Sequence, residues 1–170
     1  MQSKKIRRAL PEEAAWLTEL SFASKAYWQY PQSYYRRWQQ ELTITADYIE
    51  THDVYVCDDG TYPCGYYSLV ILQEALVVSG VVLAAGVWLE HMFVHPDSIG
   101  KGVGTLLFNH IRGLVEKRGD NSIHLLADPH ACRFYEKMGC VYQGECASTI
   151  PGRTTPYLIC NLGMHNQPKP

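Results

Sequence analysis

Apolar residues recur along this chain with two periods, and the place where the period changes divides it. Leu17, Leu20, Ser24 and Tyr27 follow Pro11, Glu12 and Glu13 at helical spacing. A proline and two acids suit a first helical turn, where proline's missing N–H goes unneeded and carboxylates face the positive end of the dipole. A second helix is expected to start at Pro31 and carry Tyr34, Tyr35, Trp38 and Leu42 on one side, and a short third helix covers residues 46–51. Residues 5–9 ahead of them read as a short strand. Beyond Asp53 the pattern changes. Val54-Tyr-Val-Cys, an Asp58-Asp-Gly turn and the run from Cys64 to Leu72 predict two antiparallel strands.

The longest nearly apolar run covers residues 75–89, between Glu74 and Glu90, and is broken by Ser79-Gly80 and Gly86. It is shorter than the roughly 20 residues of a membrane helix. Rich in valine, it reads as buried strand, turn and strand, with residues 81–94 supplying one strand that ends in Trp88-Leu-Glu-His-Met-Phe-Val. The clearest helix follows, with Val103, Leu106, Leu107, His110, Ile111, Leu114 and Val115 on one stripe. Residues 122–127 form a strand, and residues 129–138 a helix that Gly139 stops. Strands around residues 140–146 and 155–162 complete the pattern. Strand, helices, strands, helix, strand, helix, strands is the order of an α/β (α+β) fold, a mixed sheet with helices on its faces. One domain over residues 1–163 is expected, with 164–170 as a disordered tail.

Composition narrows the function classes. A formal net charge of -2 gives no long-range attraction to nucleic acid or anionic lipid, so neither is an expected partner. The basic start of the chain runs into Ala-Leu-Pro-Glu-Glu rather than an apolar stretch, which argues against a secretory signal. The six cysteines show no C-x-x-C pair, and no histidine pairs with one at zinc-ligand spacing. Reduced thiols in a cytoplasmic protein, without a metal, are the simplest expectation.

Chemistry concentrates in Phe93-Val-His-Pro-Asp-Ser-Ile-Gly-Lys-Gly-Val-Gly-Thr-Leu-Leu. A strand ends, glycines alternate at 100, 102 and 104, and a helix begins. Backbone N–H groups at such a helix start can approach a diphosphate closely, and Lys101 adds positive charge. Thr105 stands where the dinucleotide fingerprint needs glycine or alanine, and the triphosphate loop's G-x-x-x-x-G-K-[ST] is missing. A plain tight turn that packs helix on strand is the bland alternative.

Gly102 and Gly104, after Val94-His-Pro-Asp, resemble the [QR]-x-x-G-x-[GA] motif with which the GNAT family grips coenzyme A, although Ile99 stands at the arginine or glutamine position. A second block, Asp128-Pro-His-Ala-Cys-Arg-Phe-Tyr-Glu-Lys-Met-Gly-Cys, is similar to the family's N-x-x-A-x-x-[FL]-Y-E-K-x-G-F, departing at Asp128 and Cys140. The resemblance implies a mixed, mostly antiparallel GNAT-like sheet and N-acetyl transfer from acetyl-CoA, used as cosubstrate, to a primary amine. It implies coenzyme contacts at Met92, Phe93 and Val94, at Gly100, Lys101, Gly102, Val103, Gly104 and Thr105, and at Asp128, Ala131 and Phe134. It gives Tyr135 the departing thiolate and Glu90, in Leu-Glu-His-Met-Phe-Val, the proton of the amine. Strand alternation puts Trp88, Glu90, Met92 and Val94 on one face and His91 and Phe93 on the other.

For the acceptor, six of the sixteen tyrosines and tryptophans lie between positions 27 and 38. Tyr27, Trp28 and Tyr30 are candidate walls for an amine held by cation–π contact. Ordinary amphipathic packing is the preferred reading, since helical spacing alone explains half of the cluster. Arg153, between the last strands, is a candidate ligand for a carboxylate on the acceptor. The acceptor is a small molecule or a peptide, and a homodimer stays open. A non-catalytic acyl-CoA-binding module of the same fold is the competing reading, left room by Ile99 and Asp128.

Overall fold

A computed structural model describes residues 3–163; the tail at 164–170, expected to be disordered, lies outside the described residues. The chain runs β1 (Lys5–Arg8), α1 (Ala14–Ala26), α2 (Gln32–Leu42), α3 (Ala46–Thr51), β2 (Asp53–Asp58), β3 (Pro63–Leu72), β4 (Leu76–Val78) and β5 (Val81–Leu83). It continues through β6 (Gly86–Val94), α4 (Val103–Lys117), β7 (Ser122–Leu126), α5 (Cys132–Lys137), β8 (Val141–Ala147) and β9 (Thr154–Asn161). Seven strands form one mixed, mostly antiparallel sheet in the order β1-β2-β3-β6-β7-β9-β8, flanked by helices, and β4 and β5 form a separate pair. The β6–β7 pair is parallel, joining Val87, Trp88 and Leu89 to Ile123, His124 and Leu125, while β6 itself runs on to Val94.

The described residues divide into two compact units, 3–69 with 90–108 and 70–89 with 109–163. In the first, Leu17 and Leu20 of α1 pack with Ile44, Ile49, Val54, Val56 and Tyr66, the helical stripe meeting alternate positions of β2 and β3. Each such buried aliphatic contributes about 1.5–3 kcal/mol through the area it withdraws from water. The expected helix start at Pro11 is a 3-10 turn, Pro11–Glu13, ahead of α1. Glu13 does what an acid there should do: its carboxylate accepts from Leu10 N at 2.8 Å and pairs with Arg7 at 2.7 Å.

In the second unit, Trp88 packs against the rings of both His124, at 5.2 Å, and Tyr157, at 5.3 Å. Its indole donates to Ala84 O at 2.9 Å, and Gly86 adopts φ +131°. These two features break the single strand expected over 81–94 into β5 and β6. The apolar run also differs from expectation in burial. Ser79 and Gly80, at φ +49° and +81°, make a two-residue hairpin turn, and Leu76, Val77, Val78 and Val82 on the hairpin are exposed. β4 and β5 pair only with each other, and hydrophobicity alone misjudged which faces are covered. No helix among the described residues is long and apolar enough to cross a membrane.

Candidate active site

The glycine turn lies in the first unit. After β6, His95 N donates to Cys64 O at 2.9 Å, and Pro96–Ser98 forms a 3-10 turn in which Asp97 N donates to His95 Nδ1 at 3.3 Å. Gly100 and Gly102 then adopt φ +76° and +81°, left-handed values that side chains resist. A Cβ built on either would meet nothing within 4 Å, so space is open above both. The helical ladder of α4 starts with Leu106 N to Gly102 O at 3.0 Å. The N–H groups of residues 103–105 precede that bond and have no acceptor within the helix. They sit at its positive end, where an anion is stabilised. A diphosphate fits such a turn. Lys101 and Thr105 are exposed beside it, and Ile99 is half-buried.

Val103 reaches its position through a glycine that the sequence did not single out. A Cβ on Gly65 would lie 2.8 Å from Val103 Cγ1, 3.1 Å from Phe93 O and 3.2 Å from Leu107 Cδ1. The first turn of α4 therefore rests on the bare backbone of β3. Val103 is buried there and can offer a ligand its main chain but not its side chain.

On β6, Glu90 is exposed while His91, Met92, Phe93 and Val94 are half-buried. His91 and Phe93 both approach the ring of Tyr66, at 6.3 and 5.9 Å. His91 belongs to a polar network that alternation in the sequence could not reveal. Its Nε2 lies 2.8 Å from Glu41 O, and a carbonyl only accepts, so Nε2 carries the proton. Nδ1 is then the acceptor for Ser68 Oγ at 2.8 Å, and Ser68 in turn bonds to the Tyr48 hydroxyl at 2.9 Å. Burial holds the imidazole below its ordinary pKa, against the opposing carboxylates of Glu41 and Glu90, and pushes the Tyr48 phenol up to about 12. Both nitrogens of His91 are occupied. The imidazole secures the end of α2 to β6 beside Glu90.

Tyr135 lies in the second unit on α5, which the 3-10 turn Pro129–Ala131 leads into. It is buried, and burial raises its phenol above the ordinary value, with smaller contributions from Cys140 and Asp128. Gly139, at φ +89°, ends the helix: its N–H bonds to Glu136 O at 2.9 Å and that of Cys140 to Tyr135 O at 3.0 Å, the paired bonds of a Schellman cap. Arg112 from α4 donates to the adjacent Met138 carbonyl. Asp128 caps the turn, accepting from His130 N at 3.0 Å, and pairs with Arg153 at 3.5 Å. The structure thus brings together Asp128, Tyr135 and Arg153, which the sequence reading assigned to three separate roles. Ala131 and Phe134 are half-buried on the same segment, and the Phe134 ring meets that of Tyr135 edge-on at 5.1 Å.

The aromatic cluster divides in two. Tyr30, Tyr34 and Tyr35 surround the buried Trp38 at 5.1–5.8 Å, and Lys25 Nζ stands 4.5 Å above the Trp38 ring. The chain's own ammonium makes the cation–π contact there. Tyr27 and Trp28 are exposed, edge to face at 4.9 Å.

A model of the acetyltransferase (GNAT) family matches residues 15–140. No curated protein matches. Among solved structures, a GCN5-related N-acetyltransferase of Rhodopseudomonas palustris aligns with TM-score 0.74 at 22% identity, over 95% of this chain and 98% of its own. PaiA N-acetyltransferase of Thermoplasma acidophilum, solved in complex with coenzyme A, aligns with TM-score 0.72 at 15% identity, over 94% and 99%. The yncA protein of Salmonella typhimurium, solved with its cofactor acetyl-CoA, aligns with TM-score 0.61 at 16% identity, over 98% of both chains. At these identities the likeness is one of fold.

Proposed function

The chain belongs to the acetyltransferase (GNAT) family, and from that premise we propose that it moves the acetyl group of acetyl-CoA to a primary amine of a small molecule or peptide, by direct attack in a ternary complex. One observation carries the reading: the open turn with left-handed Gly100 and Gly102 that runs into the positive end of α4. Residues 100–105 would hold the coenzyme diphosphate, chiefly by the amides of 103–105 and the charge of Lys101, and Met92, Phe93 and Val94 would line its pantetheine arm. Relatives of the same fold solved with coenzyme A and with acetyl-CoA support the choice of donor.

The donor supplies a thioester, whose carbonyl carbon the amine attacks and whose sulfur departs. A backbone N–H near Met92 or Phe93 polarises the thioester oxygen. An alkylammonium titrates near ~10.4, so the acceptor must lose a proton first. Glu90, exposed on β6, takes that proton through water. Tyr135 is assigned the departing sulfur in this reading. Its raised pKa keeps it protonated at neutral pH, while a thiol releases its proton near ~8.5. Full transfer from phenol to thiolate is then uphill, and Tyr135 acts chiefly by donating a hydrogen bond to the developing negative charge.

A thiol-release assay with acetyl-CoA across polyamines, amino acids, aminoglycosides and peptides tests the proposal. Tyr135→Phe and Glu90→Gln are expected to lower kcat by about tenfold or more, with smaller changes in acetyl-CoA affinity. Binding of acetyl-CoA without turnover on any amine would make the chain an acyl-CoA-binding module. Absence of binding would end the reading altogether.

A further inference from the structure

No step of the transfer uses Arg153, yet its placement in the second unit is closely determined. It ends a tight turn after β8. Its N–H bonds to Ile150 O at 3.0 Å, its carbonyl accepts from Ser148 N at 2.9 Å, and Ile150 N donates to Ser148 Oγ at 3.0 Å. Ile150 is buried and anchors the turn, so the guanidinium leaves from a fixed backbone. It meets Asp128 Oδ2 at 3.5 Å, with side chains only 12% and 14% exposed. The other carboxylate oxygen of Asp128 accepts from His130 N at 3.0 Å, and its carbonyl accepts from Ala131 N at 2.8 Å. Pro129–Ala131 passes without a break into the helix that carries Tyr135.

Asp128 therefore has two tasks that conflict unless something reconciles them. As a cap it must stay where His130 N is, beside a buried phenol that its charge already reaches. As a carboxylate largely withdrawn from water it is costly in that place unless a cation compensates it. Without Arg153 the charge would be relieved by uptake of a proton or by rotation toward water, and either loosens the turn from which Tyr135 is hung. Arg153 is the compensating cation, held for that purpose by its own anchored turn.

Resting on the acetyl-transfer reading above, we propose that Arg153 is a positioning residue for Tyr135, acting through Asp128, and not a ligand for a carboxylate on the acceptor. Arg153→Ala is expected to lower kcat by about tenfold at saturating amine, with a smaller change in the KM of the acceptor. Arg153→Lys keeps part of the activity. The decisive variant is D128N/R153A, in which the amide oxygen still caps His130 N and no charge is left to compensate; it is expected to be more active than R153A alone. The second readout needs no turnover. In protein labelled with 13Cζ-tyrosine, the Tyr135 signal, assigned with Tyr135→Phe, moves in R153A and returns in D128N/R153A. A carboxylate ligand behaves differently: R153A would raise KM for acidic acceptors alone, and D128N would restore nothing. That result, or a Tyr135 signal unmoved by R153A, overturns the inference. If the wild-type protein transfers acetyl to no amine, the functional reading fails and the resonance still decides the positioning claim. Should R153A not fold, R153K and D128N/R153A decide in its place: both are expected to keep the Tyr135 signal near its wild-type position, and a large shift in either overturns the claim.

Discussion

Gly65→Ala probes how the candidate diphosphate turn is held. The new Cβ would lie 2.8 Å from Val103 Cγ1, and an ordinary carbon contact is about 3.5 Å or more, so something must recede by about 0.7 Å. Val103 and Leu107 are both buried and cannot swing toward water, and the third neighbour, Phe93 O, is backbone. Overpacking of this kind costs about 1–3 kcal/mol. Alanine also restricts the unfolded chain, which offsets about 0.4–1 kcal/mol. The middle of the net range, about 1–1.5 kcal/mol, lowers Tm by about 2–6 °C in a chain of this size. Because Val103 opens α4, the displacement falls on the helix end proposed to meet the diphosphate, and acetyl-CoA affinity is expected to fall about threefold or more. Thermal unfolding and titration calorimetry with acetyl-CoA measure the two effects. Val103→Ala supplies the cross-check, since it removes the atom that the new Cβ strikes. G65A/V103A should be more stable than the sum of the single changes by about 0.5 kcal/mol or more. Strict additivity, or a Gly65→Ala protein as stable as wild type, would refute the packing argument.

Gly102→Ala places a side chain at φ +81° in the turn and is expected to raise the Kd for acetyl-CoA about tenfold while leaving kcat at saturation little changed; calorimetry and steady-state kinetics separate the two. Gly139→Ala forces a left-handed residue at the end of α5, where the added Cβ also meets Arg112 at 3.2 Å, and a loss of about 1–2 kcal/mol in urea unfolding is expected. His91 titrates below its ordinary 6.5 in the folded protein, chiefly through burial, with Glu41 and Glu90 opposing the shift and His52 adding to it. The unfolded chain therefore binds this proton first as pH falls. Its contribution to stability is complete above about pH 6.5 and is lost toward lower pH, by up to about 1.4 kcal/mol per pH unit. Urea midpoints between pH 7 and 5 should show a steeper loss in wild type than in His91→Gln.

What the sequence discloses here depends on how far apart the cooperating residues lie. The glycine turn before α4 is legible because its parts are local: a strand end, alternating glycines and an apolar helical stripe occur within about twenty residues of one another. The Tyr135 helix is legible for the same reason, with Gly139 marking its end. Gly65 is opaque, since nothing in Cys64-Gly-Tyr-Tyr reveals that residues 103 and 107 will press on it. The Tyr48–Ser68–His91 network joins a helix and two strands, and each member taken alone reads as an ordinary polar residue on an amphipathic element. The exposed β4–β5 hairpin shows the converse limit. A valine run reports that strands will form but not which of their faces another element will cover. Asp128 and Arg153 combine both lessons. One departs from a local motif and the other stands in a loop without any motif, and their meaning changes once the fold sets them 3.5 Å apart. A departure from a family pattern is thus best weighed together with its spatial partner. An aspartate that looks like a weakened coenzyme contact becomes, beside a half-buried arginine, half of the proposed device for aiming the tyrosine that follows it.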